Sequence, residues 1–160
     1  MKFIAHRGNL NGPSPEKENH PAYVDAAFQA GFDAEVDVWV VDGKIVLGHD
    51  KPQYEIHEQW FYSFMMWVHC KNIEALYKFK SNPLINAFYH DQDDAVLTSQ
   101  GYIWTFPRPS VLTKQSVAVM PERVKDWQLD DCYGICTDYP VSYKKDLKFK
   151  FSDSGLDEKP

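Results

Sequence analysis

The chain has few cysteines, no long apolar run and fewer basic than acidic residues. Its 160 residues include 3 cysteines and carry a formal net charge of −6. This charge argues against a nucleic-acid-binding protein whose affinity comes from neutralising phosphates. No stretch approaches the roughly 18 apolar residues of a membrane helix, so no membrane span is expected. The odd, sparse set Cys70, Cys132 and Cys136 predicts reduced structural thiols in a cytoplasmic protein, not a disulfide framework or a zinc site.

Short apolar, β-branched and aromatic runs recur along the chain with turn or helix signals between them. The predicted strands are residues 2–6, 34–41, 44–48, 65–71, 86–91, 102–106, 116–121 and 133–137. Two helices are well marked, one from Pro21 to Gly31 and one over residues 72–80. Weaker helix candidates are residues 57–64, residues 121–129 and a short turn after Pro140.

The alternation of β and α segments favours a parallel sheet with right-handed crossovers. The connections at residues 91–102 and 107–115 are too short for full crossover helices. A complete (β/α)₈ barrel needs about 250 residues. The predicted fold is therefore an α/β, abbreviated TIM-type barrel with several outer helices missing. Because missing helices leave apolar sheet to be covered, we expect a homo-oligomer.

The chain is expected to form a single domain over residues 1–146, followed by a C-terminal segment of residues 147–160. Apolar residues alternate at Leu147, Phe149 and Phe151, which predicts an edge strand. The last eight or nine residues are polar and are expected to be disordered.

Two carboxylates interrupt the apolar strand predicted at residues 34–41. Period-two alternation places Glu35 and Asp37 on one face and apolar residues on the other. Carboxylates that share a face inside an apolar strand repel each other and need a cation, and their oxygens favour Mg²⁺, Ca²⁺ or Mn²⁺. The alternative is an exposed strand with solvated carboxylates, and this strand alone leaves both interpretations open.

Histidines recur at the ends of predicted strands, at His6, His49, His69 and His90. In a barrel whose site lies at the C-terminal ends of its strands, four such histidines are better explained as site lining than as structural hydrogen-bonders. Histidine is also the side chain best suited to move protons near neutral pH. Arg7 offers a forked cation suited to phosphate oxygens, and Lys71 adds a second positive charge. Together with the paired carboxylates, these residues indicate metal-assisted phosphoryl transfer.

The order and spacing of several motifs resemble the glycerophosphodiester phosphodiesterase family. The resemblance is dense over residues 3–50, thin in the middle and returns near the C-terminus, in the motif 134–140. The motifs of the dense part are His6-Arg7-Gly8, Glu18-Asn19, the segments 31–38 and 42–46, and His49-Asp50.

The resemblance implies roles for the matched catalytic and metal-binding residues. His6 and His49 would be the paired general acid and base. Glu35 and Asp37 would bind the divalent metal, with Glu18 as a further ligand or orienting group.

The resemblance also implies that Arg7 holds the phosphate and that Lys71 is the lysine following the third strand. Here the chain departs from the family, because His69 stands where the family has a glutamate two positions before that lysine. If His69 is a ligand, the metal preference moves toward Mn²⁺ or Zn²⁺. Otherwise Glu122 or Asp91 would supply the missing carboxylate.

The activity implied is metal-dependent hydrolysis of a small, glycerophosphodiester-like phosphodiester, with Mg²⁺ or Ca²⁺ expected before Mn²⁺. An alternative, motivated by His69 and the shortened barrel, is a degenerate member that binds a phosphorylated small molecule or sugar without turnover. A third interpretation is a metal-dependent hydrolase of a sugar-linked or other unusual phosphodiester.

Overall fold

The protein folds around one curled sheet. The computed structural model describes residues 1–62, 66–108 and 111–153, with side chains described through residue 146. The strands are β1 (Lys2–His6), β2 (Asp33–Val41), β3 (Lys44–Leu47), β4 (Tyr54–Ile56), β5 (Met66–Cys70), β6 (Asn86–Tyr89), β7 (Ala95–Leu97), β8 (Ile103–Thr105), β9 (Ser116–Val119) and β10 (Gly134–Thr137). All eight predicted strands are confirmed within one or two residues at each end, over the residues that the structure describes, and β4 and β7 were not predicted.

The sheet is an open, curled half-barrel, consistent with part of a TIM-type barrel. Its parallel strands follow the order β6-β5-β2-β1-β10-β9-β8. Antiparallel β7 extends this order beyond β8, and the hairpin β3-β4 branches from β2. Ser99, which follows β7, connects the two ends of this arc by hydrogen bonds to the backbone at β6. Its amide donates to Ala87 O at 2.8 Å, and its hydroxyl donates to Ile85 O at 3.0 Å.

Helices cover only part of the outside of this sheet. The described helices are α1 (Pro21–Gln29), α2 (Ile73–Phe79) and α3 (Pro140–Asp153), with 3₁₀ turns at Glu58–Phe61 and Pro121–Arg123. None of the helices in this part of the chain is long and apolar enough to cross a membrane.

The two well-marked helices are confirmed, and their ends follow from local chemistry. Pro21 opens α1, and Gly31 at φ +79° stops it in the left-handed conformation. Asn72 caps α2 by accepting the Ala75 amide at 3.1 Å. The same side chain donates to Val40 O at 2.8 Å, which fixes α2 against β2.

The weaker helix predictions need correction. The described residues of this prediction, 57–62, contain only the turn Glu58–Phe61, and residues 63 and 64 lie outside the described part. Residues 121–129 form one turn, because Val124 is extended and Asp126 has φ +56°.

The C-terminal edge strand is also wrong, because residues through Asp153 belong to helix α3. β1 already has β10 and β2 on its two sides, so an added strand would find no partner there, whereas a helix can pack over it. The disorder expected at the C-terminus falls on residues 154–160, which lie outside the described part.

Apolar clusters lie on both sides of the sheet. The outer face of β2 and β5, including Val36 and Val68, packs with Val24 of α1 and Phe79 of α2. Inside the curl, Trp67, Phe88 and Trp104 meet, with ring centroids 4.5 Å apart for Phe88 and Trp104 and 5.5 Å for Trp67 and Trp104. Because alternate residues of β2 face opposite ways, Glu35 and Asp37 point into this interior.

Candidate active site

The C-terminal ends of the parallel strands surround one cavity of about 690 Å³. Parallel strands bring their carboxyl ends to the same edge of a sheet, which is where α/β proteins place their sites. Of the residues singled out in the sequence, the cavity is lined by His6, Arg7, Glu18, Glu35, His49, His69 and Lys71. His90 and Asp91 line it as well. The structure therefore brings together side chains that are spread over 86 positions of the chain from His6 to Asp91.

The two carboxylates of β2 are buried and lie beside His69. Glu35 is 2% exposed and Asp37 is fully buried, so the solvated-strand interpretation is wrong. Asp37 and His69 are register partners on adjacent parallel strands. This pairing puts His69 Nδ1 3.0 Å from Asp37 Oδ1 and 3.8 Å from Glu35 Oε1. Ligand atoms of all three residues lie within 4.8 Å of one another, close enough to hold one metal ion.

The electrostatics of the two carboxylates differ. Burial, together with the charge of Asp37, raises the pKa of Glu35. Burial alone would also raise the pKa of Asp37, but His69, Arg7 and Lys71 outweigh it and hold that pKa well below its usual range. Asp37 is thus the carboxylate whose charged form is stabilised, and Glu35 is the one whose charged form is destabilised.

A divalent metal fits the donor set found here. Within the described part of the chain, Asp37 Oδ1 is buried and accepts no well-directed hydrogen bond, although His69 Nδ1 and Lys71 Nζ lie 3.0 and 3.5 Å away. A buried carboxylate oxygen whose neighbours are poorly aligned for hydrogen bonding is costly, and a cation would satisfy it. Two carboxylate oxygens and one imidazole nitrogen also suit Mn²⁺ or Zn²⁺ at least as well as Mg²⁺.

Arg7 connects the cluster to the N-terminal loop. Its Nε lies 3.1 Å from Asp37 Oδ2, and its Nη1 donates to Glu18 Oε2 at 3.0 Å. Its backbone amide donates to Glu35 Oε2 at 3.2 Å, from a left-handed φ of +52°. A non-glycine residue in that conformation is held there by its surroundings, in this case by three carboxylates. Glu18 therefore orients Arg7 and stands outside the group that could ligate a metal.

Two buried asparagines position the acidic side chains. Asn19 binds both the backbone and the side chain of Asp37: its Oδ1 accepts from the Asp37 amide at 2.8 Å, and its Nδ2 donates to Asp37 Oδ2 at 2.9 Å. Asn9 donates to Glu18 Oε1 at 2.9 Å and to Asp138 Oδ1 at 2.8 Å. Asn9 was not singled out from the sequence, because nothing in the local pattern indicates that it is buried.

Each of the two expected acid–base histidines has a carboxylate at its Nδ1. His6 Nδ1 lies 2.8 Å from Asp138 Oδ1, and His49 Nδ1 lies 2.6 Å from Asp50 Oδ1. A carboxylate at Nδ1 holds the proton there, so Nε2 of each ring is left to exchange protons. His49 sits on the loop after β3 with its side chain 39% exposed, whereas that of His6 is 15% exposed.

Asp138 lies in the site, although the sequence analysis assigned it no role. It follows β10 directly, so its position after the last parallel strand was the signal available. Burial alone would lower the pKa of His6, but Asp138 and Glu35 outweigh it and raise that pKa. The pKa of Asp138 is lowered in turn by His6, against the effect of burial.

Glu122, considered above as a metal ligand, lies outside the group of Glu35, Asp37 and His69. Its Oε2 accepts the Thr137 hydroxyl at 2.9 Å, and its Oε1 accepts the Asp138 amide at 3.3 Å. It follows β9, which neighbours β10, so it braces the turn that carries Asp138. Asp91 lines the cavity but likewise lies outside the group of Glu35, Asp37 and His69.

Comparison with known proteins identifies a structural neighbour. No family model matches this sequence, and no curated protein matches it. The chain is similar to the crystal structure of a glycerophosphodiester phosphodiesterase from Parabacteroides distasonis ATCC 8503. The TM-score is 0.55 and the identity 14%, over 94% of this chain and 98% of that chain. At this identity the likeness establishes the fold, and the chemistry has to be argued from the side chains.

Proposed function

We propose that the protein hydrolyses a small phosphodiester with the help of a divalent metal held by Glu35, Asp37 and His69. The observation that carries this proposal is the buried carboxylate pair, with Arg7 and His6 beside it in one open cavity. Likeness to a phosphodiesterase fold and the resemblance over residues 3–50 support the same activity.

The bound metal would neutralise non-bridging phosphate oxygens and so lower the cost of charge that builds up on them. Arg7, fixed by Glu18 and Asp37, presents its remaining N–H groups to the phosphate. Lys71, 3.5 Å from Asp37 Oδ1, adds a second cation at the same wall.

His6 and His49 carry the protons. One ring takes a proton at Nε2 from the attacking water or from a neighbouring hydroxyl of the substrate, as the new P–O bond forms. The other ring gives a proton from Nε2 to the departing alkoxide, as the old P–O bond breaks. Asp138 and Asp50 hold the two rings in the required tautomer. The products of attack by water are a phosphomonoester and a free alcohol, and attack by a neighbouring hydroxyl gives a cyclic phosphate first.

A screen of divalent metals against glycerophosphodiesters tests this function. Phosphorus NMR should show a phosphomonoester with wild type and metal, and none with EDTA or with His49→Ala. Retention of near-normal turnover in His49→Ala would contradict the acid–base assignment.

Binding without turnover is the second candidate, and one observation favours it. Arg7, His69 and Lys71 already place three cationic or neutral donors within 3.5 Å of Asp37, so the carboxylate has partners without a metal. Calorimetry that detects glycerophosphodiester binding, with no phosphomonoester formed across Mg²⁺, Ca²⁺, Mn²⁺ and Zn²⁺, would establish this function instead.

A further inference from the structure

A second cavity of about 580 Å³ adjoins the candidate active site. Its walls come from the loops after β6 and β8. Four of its lining residues also line the larger cavity, namely His90, Asp91, Phe106 and Pro107. A ligand whose phosphate lies against Arg7 therefore has room for a further group on the side of β6 and β8.

His90 stands between the two cavities with an unused polar atom. Its ring stacks on Phe106 at 3.4 Å between centroids, and its centroid lies 6.0 Å from that of His69. Its Nδ1 is buried and has no hydrogen-bond partner in the described part of the chain. An imidazole nitrogen in this situation favours a ligand that brings a polar group to it.

The remaining walls mix hydrogen-bond donors, acceptors and apolar surface. Asp91 and Asp93 accept, Arg108 donates, Gln92 both donates and accepts, and Phe106 and Pro107 are apolar. Hydroxyl groups also donate and accept, and a ring that carries them has apolar C–H faces. Asp91 and Asp93 would also attract an ammonium group. The guanidinium of Arg108 lines the same cavity and opposes a second cation, and His90 already covers one face of the ring of Phe106, so an ammonium group lacks the open aromatic faces that recognise it best.

We propose that this second cavity binds a sugar, and that the substrate is a phosphodiester in which one alcohol is a sugar. The proposal rests on the phosphodiesterase function above and specifies its substrate class. His90 and Asp93 are then residues that determine specificity, because they contact the sugar hydroxyls and leave the phosphate to Arg7.

Two matched substrates test the proposal. Glycerol phosphodiesters of a hexose and of methanol differ only in the group that the second cavity would hold. We expect kcat/KM for the hexose diester to be at least about tenfold higher, with the difference mainly in KM. Equal values would overturn the proposal, and so would a preference for glycerophosphocholine over the hexose diester.

Substitutions in the second cavity should lower this preference. His90→Phe keeps a ring on Phe106 and removes the nitrogens, and Asp93→Asn serves as a second variant if His90→Phe disturbs the fold. Each should bring the hexose-to-methyl ratio toward one. Glu55→Gln, in an exposed ion pair with Lys44 on the β3-β4 hairpin, is the control that keeps the ratio. A ratio unchanged in both cavity variants would overturn the sugar site.

Failure of the underlying activity gives a distinguishable result. If no diester, including bis(4-nitrophenyl) phosphate, is cleaved with any metal, the phosphodiesterase function is wrong. The sugar site is then judged by calorimetry with the hexose diester. Binding that weakens in Asp93→Asn supports it, and absence of binding overturns it.

Discussion

Asp138 Oδ1 lies 2.8 Å from the Nδ1 of His6, although 132 residues separate the two in sequence. The contact exists because β1 and β10 are parallel neighbours, with Ala5 paired to Thr137. The same carboxylate oxygen accepts from Asn9 at 2.8 Å, so its position is fixed from two sides. The first and last strands of the sheet thus jointly set the orientation of the buried histidine.

Asp138→Asn is expected to impair His6 without removing it. The pKa of His6 should fall, because the charge and hydrogen bond that raise it are lost while burial still lowers it. Turnover should fall by about two orders of magnitude, the usual range for loss of general acid–base catalysis. NMR titration of the His6 ring and steady-state kinetics measure the two effects. An unchanged pKa in the variant would show that Asp138 does not control His6.

The same pair predicts how stability depends on pH. The pKa of Asp138 is lowered from 3.8, so its contribution is present above that pH and is lost as the pH falls through the folded value. The pKa of His6 is raised from 6.5, so its contribution is present below that pH and is lost as the pH rises through the folded value. The destabilisation caused by Asp138→Asn, about 1 to 3 kcal/mol, should therefore be largest between pH 3.8 and pH 6.5.

Urea unfolding of wild type and Asp138→Asn at a series of pH values measures that difference. A difference in unfolding free energy that stays constant from acid to alkaline pH would contradict the coupling.

Glu35→Gln is expected to stabilise the metal-free protein. Burial and Asp37 raise the pKa of Glu35, so removing its charge relieves repulsion. The melting temperature without metal should rise by about 2 to 4 °C, whereas the increase produced by Mn²⁺ in wild type should be lost. Thermal unfolding with and without Mn²⁺ measures both, and Glu55→Gln, an exposed carboxylate paired with Lys44, is the matched control. A metal-induced increase that persists in Glu35→Gln would exclude Glu35 as a ligand.

His69→Glu tests how this position sets the metal preference. The variant supplies the glutamate of the resembled family, so affinity for Mg²⁺ and Ca²⁺ should rise relative to that for Mn²⁺ and Zn²⁺. The metal-free variant should melt at a lower temperature, since a third carboxylate joins the buried pair and the stack of His69 on Phe88 is lost. Calorimetric titrations with the four metals give the order of affinities. The same order in variant and wild type would show that residue 69 is not a ligand.

Local patterns predicted the elements that local physics decides. Period-two alternation placed Glu35 and Asp37 on one face, and a proline and a glycine set the ends of α1. His6, His69 and His90 reached the cavity because parallel strands end together, whereas His49 reached it because the antiparallel strand β3 turns back along β2.

Features that depend on tertiary packing were missed. Residues 147–153 alternate like a strand, but the position beside β1 accommodates a helix. Asp138 acquires its role only through the pairing of β1 with β10, and the burial of Asn9 only through Asp138 and Glu18. The homo-oligomer expected from the missing helices remains a prediction, and light scattering at micromolar concentration tests it.

The most direct test of the proposed metal-dependent activity is hydrolysis of a glycerophosphodiester as a function of Mn²⁺ concentration, monitored by phosphorus NMR. Turnover should saturate at the Mn²⁺ concentration at which calorimetry shows the site of Glu35, Asp37 and His69 filling, and EDTA should abolish it. Turnover that persists in EDTA, or a filled metal site without any phosphomonoester formed, would contradict the proposed activity.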